Sequence, residues 1–553
     1  MSLSRDSGTV LGGNATRWES LRPERTVAAV TRTFTSAVRL FEAVNLFESD
    51  FRVRVVFAHD DSSAFSAGVP ELLRAESITP VPLPELSGAS FDLALTASEN
   101  VDLTQISAPV VVVPHGIGFH RYVPDSTSPG TRLSGVVPVQ RLHGTDTWMT
   151  ISHPAQRDQL RAENPEAANR CVVVGDLAYD RMVASLPLRE RYRRALGIAP
   201  SQRLVVVTST WGTGSLIESW RELPARLAGE LPRDEYKVAL VLHPNVWTWH
   251  GDYSLRLWLS RARAAGLMVM PPEGSWQSLL IAADLVIGDH GSVTLYGAAL
   301  DRPVLLAGDY AKATVVPGTP PGKLAGTADR LIDGPPLSGQ VTAAISAHDR
   351  GRFDFLVARM FARRGEAAET LRDFLYSRLR LPVPDLLPVI SAPAMPEPDR
   401  TEPHSFVVFS RSEKDRVRLW RYPAAVRNAG PPDSSAVRHL LADEEEPDMR
   451  LPANAAVIVR RDMTDHISAS AWLDELFTSY PGCQMGAAAV ADGCLARLWD
   501  GRRLHLSLPP DACSLGASAL YARIREGQPT SGRITVQAGA ASIAIELSPW
   551  PEL

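Results

Sequence analysis

Short apolar runs that break off at a glycine or a polar turn, each followed by an amphipathic stretch, recur along the first 380 residues. This alternation constrains the fold more than any other feature of the chain. Thr26–Thr31 (TVAAVT) reads as a strand and Ser36–Phe47 as a helix, with apolar residues at helical spacing. Further strands are expected at Arg52–Ala58, Phe91–Ala97, Val110–Pro114, Thr147–Ser152 and Cys171–Gly175, with a helix around Gly68–Ala75. The same pattern then starts again, with strands at Arg203–Thr208, Lys237–Leu242, Leu267–Met270, Leu285–Gly288 and Pro303–Ala307. Continuous apolar strands separated by helices imply a parallel sheet covered on both faces. Two such series predict an α/β chain of two facing Rossmann-like domains, over residues 26–190 and 191–380, after a disordered leader at 1–25. Phe353–Leu379 reads as a long terminal helix able to pack back across the first domain.

Residues 381–403, LPVPDLLPVISAPAMPEPDRTEP, are proline-rich and read as a semi-rigid linker between independently folded parts. Residues 404–553 then read as an α+β accessory domain. Strand character appears at Phe406–Phe409, Ala456–Val459 and Arg533–Val536, and helical character at Ser470–Tyr480 and Ala517–Glu526. No catalytic motif appears there, which leaves a peripheral membrane or protein partner as its expected use.

A chain of 553 residues needs more than one core. Its net charge of −5 speaks against a nucleic-acid surface, which requires clustered lysine and arginine. Arginine supplies nearly all the positive charge, lysine occurring at Lys237, Lys312, Lys323 and Lys414 alone; a GC-rich genome accounts for that bias, with anion recognition by many arginines as the alternative reading. Cys171, Cys483, Cys494 and Cys513 lack the spacing of a zinc or redox site. No run reaches the eighteen or so apolar residues of a membrane span, and the N-terminus lacks the apolar centre of a signal peptide, so a cytoplasmic location is expected.

Chemistry is expected where strands deliver polar residues to their carboxyl ends, because ligands of open α/β sheets bind there. The first such place is Asp289-His290-Gly291-Ser292-Val293, between the strand ending at Gly288 and a helix. Two readings stand: a phosphate site, with Gly291 admitting close approach and free helix amides receiving the anion, or a plain turn with Ser292 as N-cap. His243 ends the strand LVL before Pro244, either as a ligand or as a satisfied strand-end histidine. His115, with Gly116 and Gly118 just after it, follows VVVVP and faces an open loop, where a histidine can act as a general base. Thr210 lies in the hydroxyl- and glycine-rich loop TSTWGTGS, and Asp180 in the loop GDLAYDRM between the two halves, which reads either as part of the cleft or as a plain domain connector.

The order of these segments resembles the GT-B superfamily, and within it CDP-glycerol glycerophosphotransferase-like and UDP-N-acetylglucosamine 2-epimerase-like proteins. A WHG-type motif is similar to Pro114-His115-Gly116, and a GxPRxD-type segment to Gly175 through Asp180. A T-W turn is similar to Thr210-Trp211, and a K-x-HP segment to Leu242-His243-Pro244. An acidic strand ending in D-Y-S-S, followed by L-D-x-P, resembles Asp284 through Ser292 and Leu300-Asp301-Arg302-Pro303. The chain departs from the pattern at His290-Gly291, at Leu177-Ala178, and in having no acid between Thr294 and Leu300; Glu218 and Glu273 are the stand-ins considered for contacting a ribose. The resemblance covers about residues 26–380. It implies a transferase moving a glycosyl or glycerophosphoryl group from a nucleotide-activated small-molecule donor to an acceptor hydroxyl that the sequence does not identify. His115 would be the base, while His243, Thr210 and the 289–293 turn would hold the donor. Gly116, Gly118 and Asp180 would lie on the acceptor side, and no metal or cofactor is expected. A hydrolysing 2-epimerase, a nucleotide-sugar sensor and a scaffold are the alternatives.

Overall fold

A computed structural model describes residues 20–102, 106–124, 130–138, 146–426 and 435–550. The leader expected over 1–25 therefore falls largely outside the described residues. Seven parallel strands form the first sheet, in the spatial order Val81–Pro82, Val53–His59, Arg25–Thr31, Leu93–Thr96, Val110–Val112, Thr147–Ile151 and Cys171–Val173. Six parallel strands form the second, in the order Met268–Met270, Tyr236–Leu242, Arg203–Ser209, Leu285–Gly288, Val304–Leu306 and Asp329–Arg330. Numbered along the chain, both sheets begin 3-2-1-4-5, the doubly wound Rossmann order. The expected pair of facing Rossmann-like units is the architecture observed. The central strands are apolar over most of their length, as strands covered on both faces must be: Tyr236–Leu242 is buried throughout, and its one charged residue, Lys237, pairs with Glu402.

The stretch expected as one helix over Phe353–Leu379 is two, Asp354–Met360 and Ala367–Leu379. An extended Phe361 ends the first, and Arg363 and Gly365, with φ of 49° and 82°, then turn the chain so that it crosses from the second unit to the first. The second helix buries Leu371, Leu375, Tyr376 and Leu379 with Val27, Ala29, Leu93 and Leu95, so the chain returns to the first sheet as expected. At the crossing, Ala362 N–H donates to Ser152 O (2.8 Å), and Asp180 accepts from Ala367 N–H (3.0 Å).

The C-terminal part is more closed than the sequence suggests. Nine strands between Ser405–Glu413 and Ala541–Pro549 form a closed barrel. The helix Cys513–Arg525 packs with the inward-facing residues of strands around it. Small residues make room for that helix: a Cβ on Gly516 would lie 2.4 Å from Leu508 Cδ2. Among the described residues, no helix is long and apolar enough to cross a membrane.

Residues 381–403 are extended, as their prolines require, but they are docked rather than free. Arg181 donates to Ser391 O (2.7 Å), Tyr192 to Pro393 O (2.8 Å), and Asp399 bridges to Val269. Arg233 and Lys237 pair with Glu402, and Arg421 of the barrel pairs with Asp234 of the second unit. Leu386, Leu387 and Val389 stand exposed just ahead of these anchors. Limited proteolysis should therefore cut near 386–390, yet the two fragments should co-elute in size-exclusion chromatography. A barrel that elutes separately would show that the anchors are weaker than their geometry implies.

Candidate active site

Each sheet has a switch point where the strand order reverses, between Arg25–Thr31 and Leu93–Thr96 in the first and between Arg203–Ser209 and Leu285–Gly288 in the second. Their carboxyl ends face one another across a cleft of about 660 Å³. Of the residues singled out by sequence, His115, Gly116, Gly118, Thr210, His243, His290, Gly291, Ser292 and Val293 line it. Asp180 does not: it is buried at the joint between the units, where its carboxylate caps the start of the Ala367–Leu379 helix. Asp289 lies beneath the cleft floor, 1% exposed. Its carboxylate accepts from Leu216 N–H (2.8 Å), Thr210 N–H (2.9 Å), Gly291 N–H (3.0 Å) and Ser209 Oγ (3.3 Å). One buried acid thus ties the 209–216 loop to the 289–292 turn. Burial raises its pKa to about 6, although the three backbone donors oppose the shift.

The turn differs in detail from the N-cap expectation. Gly291, not Ser292, is the cap of the helix Ser292–Ala299, and no side chain caps it. Ser292 Oγ instead accepts from Ile117 N–H of the opposite unit at 3.2 Å, and a Cβ on Gly116 would lie 2.9 Å from that oxygen. Glycine at 116 therefore lets the two units touch. Gly291 has an ordinary negative φ; a Cβ there would press on Asp289 Oδ1 and Thr210 Cβ, both at 3.1 Å, so packing rather than backbone freedom explains it.

The histidines fall into two kinds. His243 Nδ1 accepts from Asn245 N–H (3.1 Å), which places the proton on Nε2, and burial, with the nearby charges of His115 and Arg121, lowers its pKa to about 3. His290 is 2% exposed, neither ring nitrogen has a partner among the described residues, and burial lowers its pKa to about 3 as well. Both are neutral hydrogen-bond donors or acceptors. His115 is of the other kind. Its side chain is 37% exposed, and Nδ1 lies 3.1 Å from Ala97 O. A carbonyl can only accept, so Nδ1 carries the proton and Nε2 keeps its lone pair.

Sequence reasoning missed Glu99, whose Oε2 lies 3.8 Å from His115 Nδ1. Burial alone would raise the Glu99 pKa, but His115, Arg132 and backbone N–H donors together outweigh it and hold the carboxyl below its usual range. Glu99 follows the strand Leu93–Thr96 as His115 follows Val110–Val112, so the strand-end rule could have found it. Arg121, another cleft residue, gives no such signal in the sequence.

No family model matches the chain. No curated protein matches it either. Among solved structures, the chain is similar to the wall teichoic acid polymerase TagF, at 10% identity and a TM-score of 0.43 over 65% of this chain and 90% of that one. It is similar to the complex of S. aureus MnaA with UDP, at 13% identity and a TM-score of 0.39 over 67% and 99%. A UDP-N-acetylglucosamine 2-epimerase gives 13% identity and a TM-score of 0.39 over 64% and 96%. The GT-B-like arrangement rests on the chain's own topology, in which two parallel sheets of Rossmann order turn their switch points to one cleft.

Proposed function

We propose that the protein is a transferase that moves a glycosyl or glycerophosphoryl group from a nucleotide-activated donor to an acceptor hydroxyl in this cleft. The observation that carries the reading is the pairing of an accessible imidazole, with Nδ1 held by Ala97 O, and a set of uncharged donors on the opposite wall. His115 Nε2 takes the proton of the acceptor hydroxyl, the oxygen attacks the transferred group, and the bond to the nucleotide's terminal phosphate oxygen breaks. Glu99 stabilises the imidazolium that forms. The charge arriving on the leaving phosphate meets His243 Nε2–H, His290 and the first amides of the Ser292–Ala299 helix, which no helical carbonyl can satisfy. Holding both reactants in a cleft between two units supplies orientation.

The reading is tested by thermal shift against CDP-, UDP-, GDP- and dTDP-linked compounds, since a ligand that binds the folded state raises its melting temperature by mass action. One nucleotide series should stabilise the protein in a saturable way. No shift with any of them would end the proposal. The carboxylates of Glu42, Glu99 and Glu273 in the same cleft favour a 2-epimerase as the second reading, because that reaction needs acids to move protons on a sugar. Solvent deuterium appearing at the sugar's C2, with no acceptor present, would select it.

A further inference from the structure

Three arginines line the cleft: Arg39, Arg121 and Arg181. Arg39 and Arg181 both pair with Glu42, at 2.9 and 3.5 Å. Arg121 has no carboxylate partner at ion-pair distance among the described residues. A half-buried guanidinium with no counter-ion is costly, because desolvation is not offset by a partner. Burial accordingly pulls its pKa down, and the distant Asp289 only partly opposes the shift. The residue is nonetheless held firmly. Its backbone bridges to Val315 of the second unit, flanked by Val316 N–H to His120 O (2.8 Å) and Thr314 Oγ1 to Tyr122 O (3.0 Å). Its guanidinium lies over the Trp211 ring, 5.5 Å from the centroid.

We propose that Arg121 is the cationic half of a diphosphate site whose other half is His243, His290 and the 289–292 turn, so that one anion is gripped by both units. The inference rests on the donor reading above and adds the residue that supplies the charge. The imidazoles of His243 and His290 are held neutral and lie close enough to Arg121 to feel its field. They donate hydrogen bonds, but the compensating positive charge must come from Arg121. The guanidinium, two imidazoles and the amides of a helix start offer more donors than one carboxylate can accept, which suits the oxygens of a diphosphate. Because Arg121 belongs to the unit that carries His115, filling the site would also hold the base against the donor.

The test is calorimetric titration of UDP, CDP and inorganic pyrophosphate into the wild type, Arg121→Gln and Arg121→Lys. Arg121→Gln should weaken the nucleoside diphosphates and pyrophosphate alike, by about 10–100-fold, with partial recovery in Arg121→Lys. The salt dependence of binding should become shallower in Arg121→Gln, as expected on losing a charged contact. Ligand-free Arg121→Gln should melt at or above the wild-type temperature, because an uncompensated charge has gone; a residue kept for packing would give the opposite. Wild-type affinity in the glutamine variant, or no binding of any of these anions to the wild type, overturns the inference. Pyrophosphate binding that depends on Arg121 while neither nucleotide binds more tightly would support the anion site and sink the donor reading instead.

Discussion

Replacing His115 with alanine should lower turnover by about 10²–10⁴-fold, the usual contribution of a general base, and leave nucleoside diphosphate affinity close to wild type. The separation follows from position. His115 stands on the first unit with Nδ1 committed to Ala97 O, while the donors assigned to the phosphates, His243 and the 289–292 turn, stand on the second. A side chain that acts only on the acceptor proton changes the reaction rate without changing what the donor touches. Glu99→Gln should fall between the two proteins, because the neutral amide no longer stabilises an imidazolium 3.8 Å away. Steady-state rates and calorimetric donor affinities measured on the same preparations decide the matter. Full transfer activity in His115→Ala, with donor bound normally, would mean that the histidine is structural.

Asp289→Ala should destabilise the protein by about 3 kcal/mol or more, since it strands buried backbone donors at about 1–3 kcal/mol each. The amides concerned are those of Thr210, Leu216 and Gly291, all satisfied by this one carboxylate. They belong to the two loops that form the donor wall, so nucleotide affinity should fall together with the melting temperature. Ser292→Ala should cost less, because only one bond, from Ile117 N–H, is lost. The pH dependence has a definite sign. The folded pKa of Asp289, about 6, lies above that of an unfolded aspartate. The pH-dependent part of this group's contribution to stability is therefore fully present below the unfolded value and is lost as pH rises through 6, while the bonds from the three amides persist to the carboxylate. In Asp289→Ala that component of the pH–stability curve should be missing. An alanine variant that unfolds at the wild-type denaturant midpoint would show that the loops hold their shape without the acid.

Much of this architecture was legible before any coordinates. Apolar runs such as Val110–Val112 and Leu285–Gly288 have to be buried on both faces, so they can only be strands of covered parallel sheets. Their carboxyl ends have to deliver His115, His243 and the 289–293 turn to the ligand-binding edge of each sheet, and His115, His243 and residues 290–293 line the cleft. What the tertiary structure alone decided depends on partners far apart in the chain. Ser292 was read either as part of a phosphate site or as its own helix's cap, and the opposite unit's Ile117 N–H reaches its hydroxyl. Asp180 was placed in the cleft, yet the crossing helix takes its carboxylate. The exposed-looking linker at 381–403 became a docked segment through arginines and a tyrosine that local sequence does not reveal. The barrel closes through pairings as distant as Arg416–Leu419 with Thr535–Ala538, whose register no local pattern encodes. Arg121 is the sharpest case. A sequence records that an arginine is present; only the packed fold can leave it without a counter-ion among the described residues and turned to a cleft, because pairing is a property of what the rest of the chain brings near.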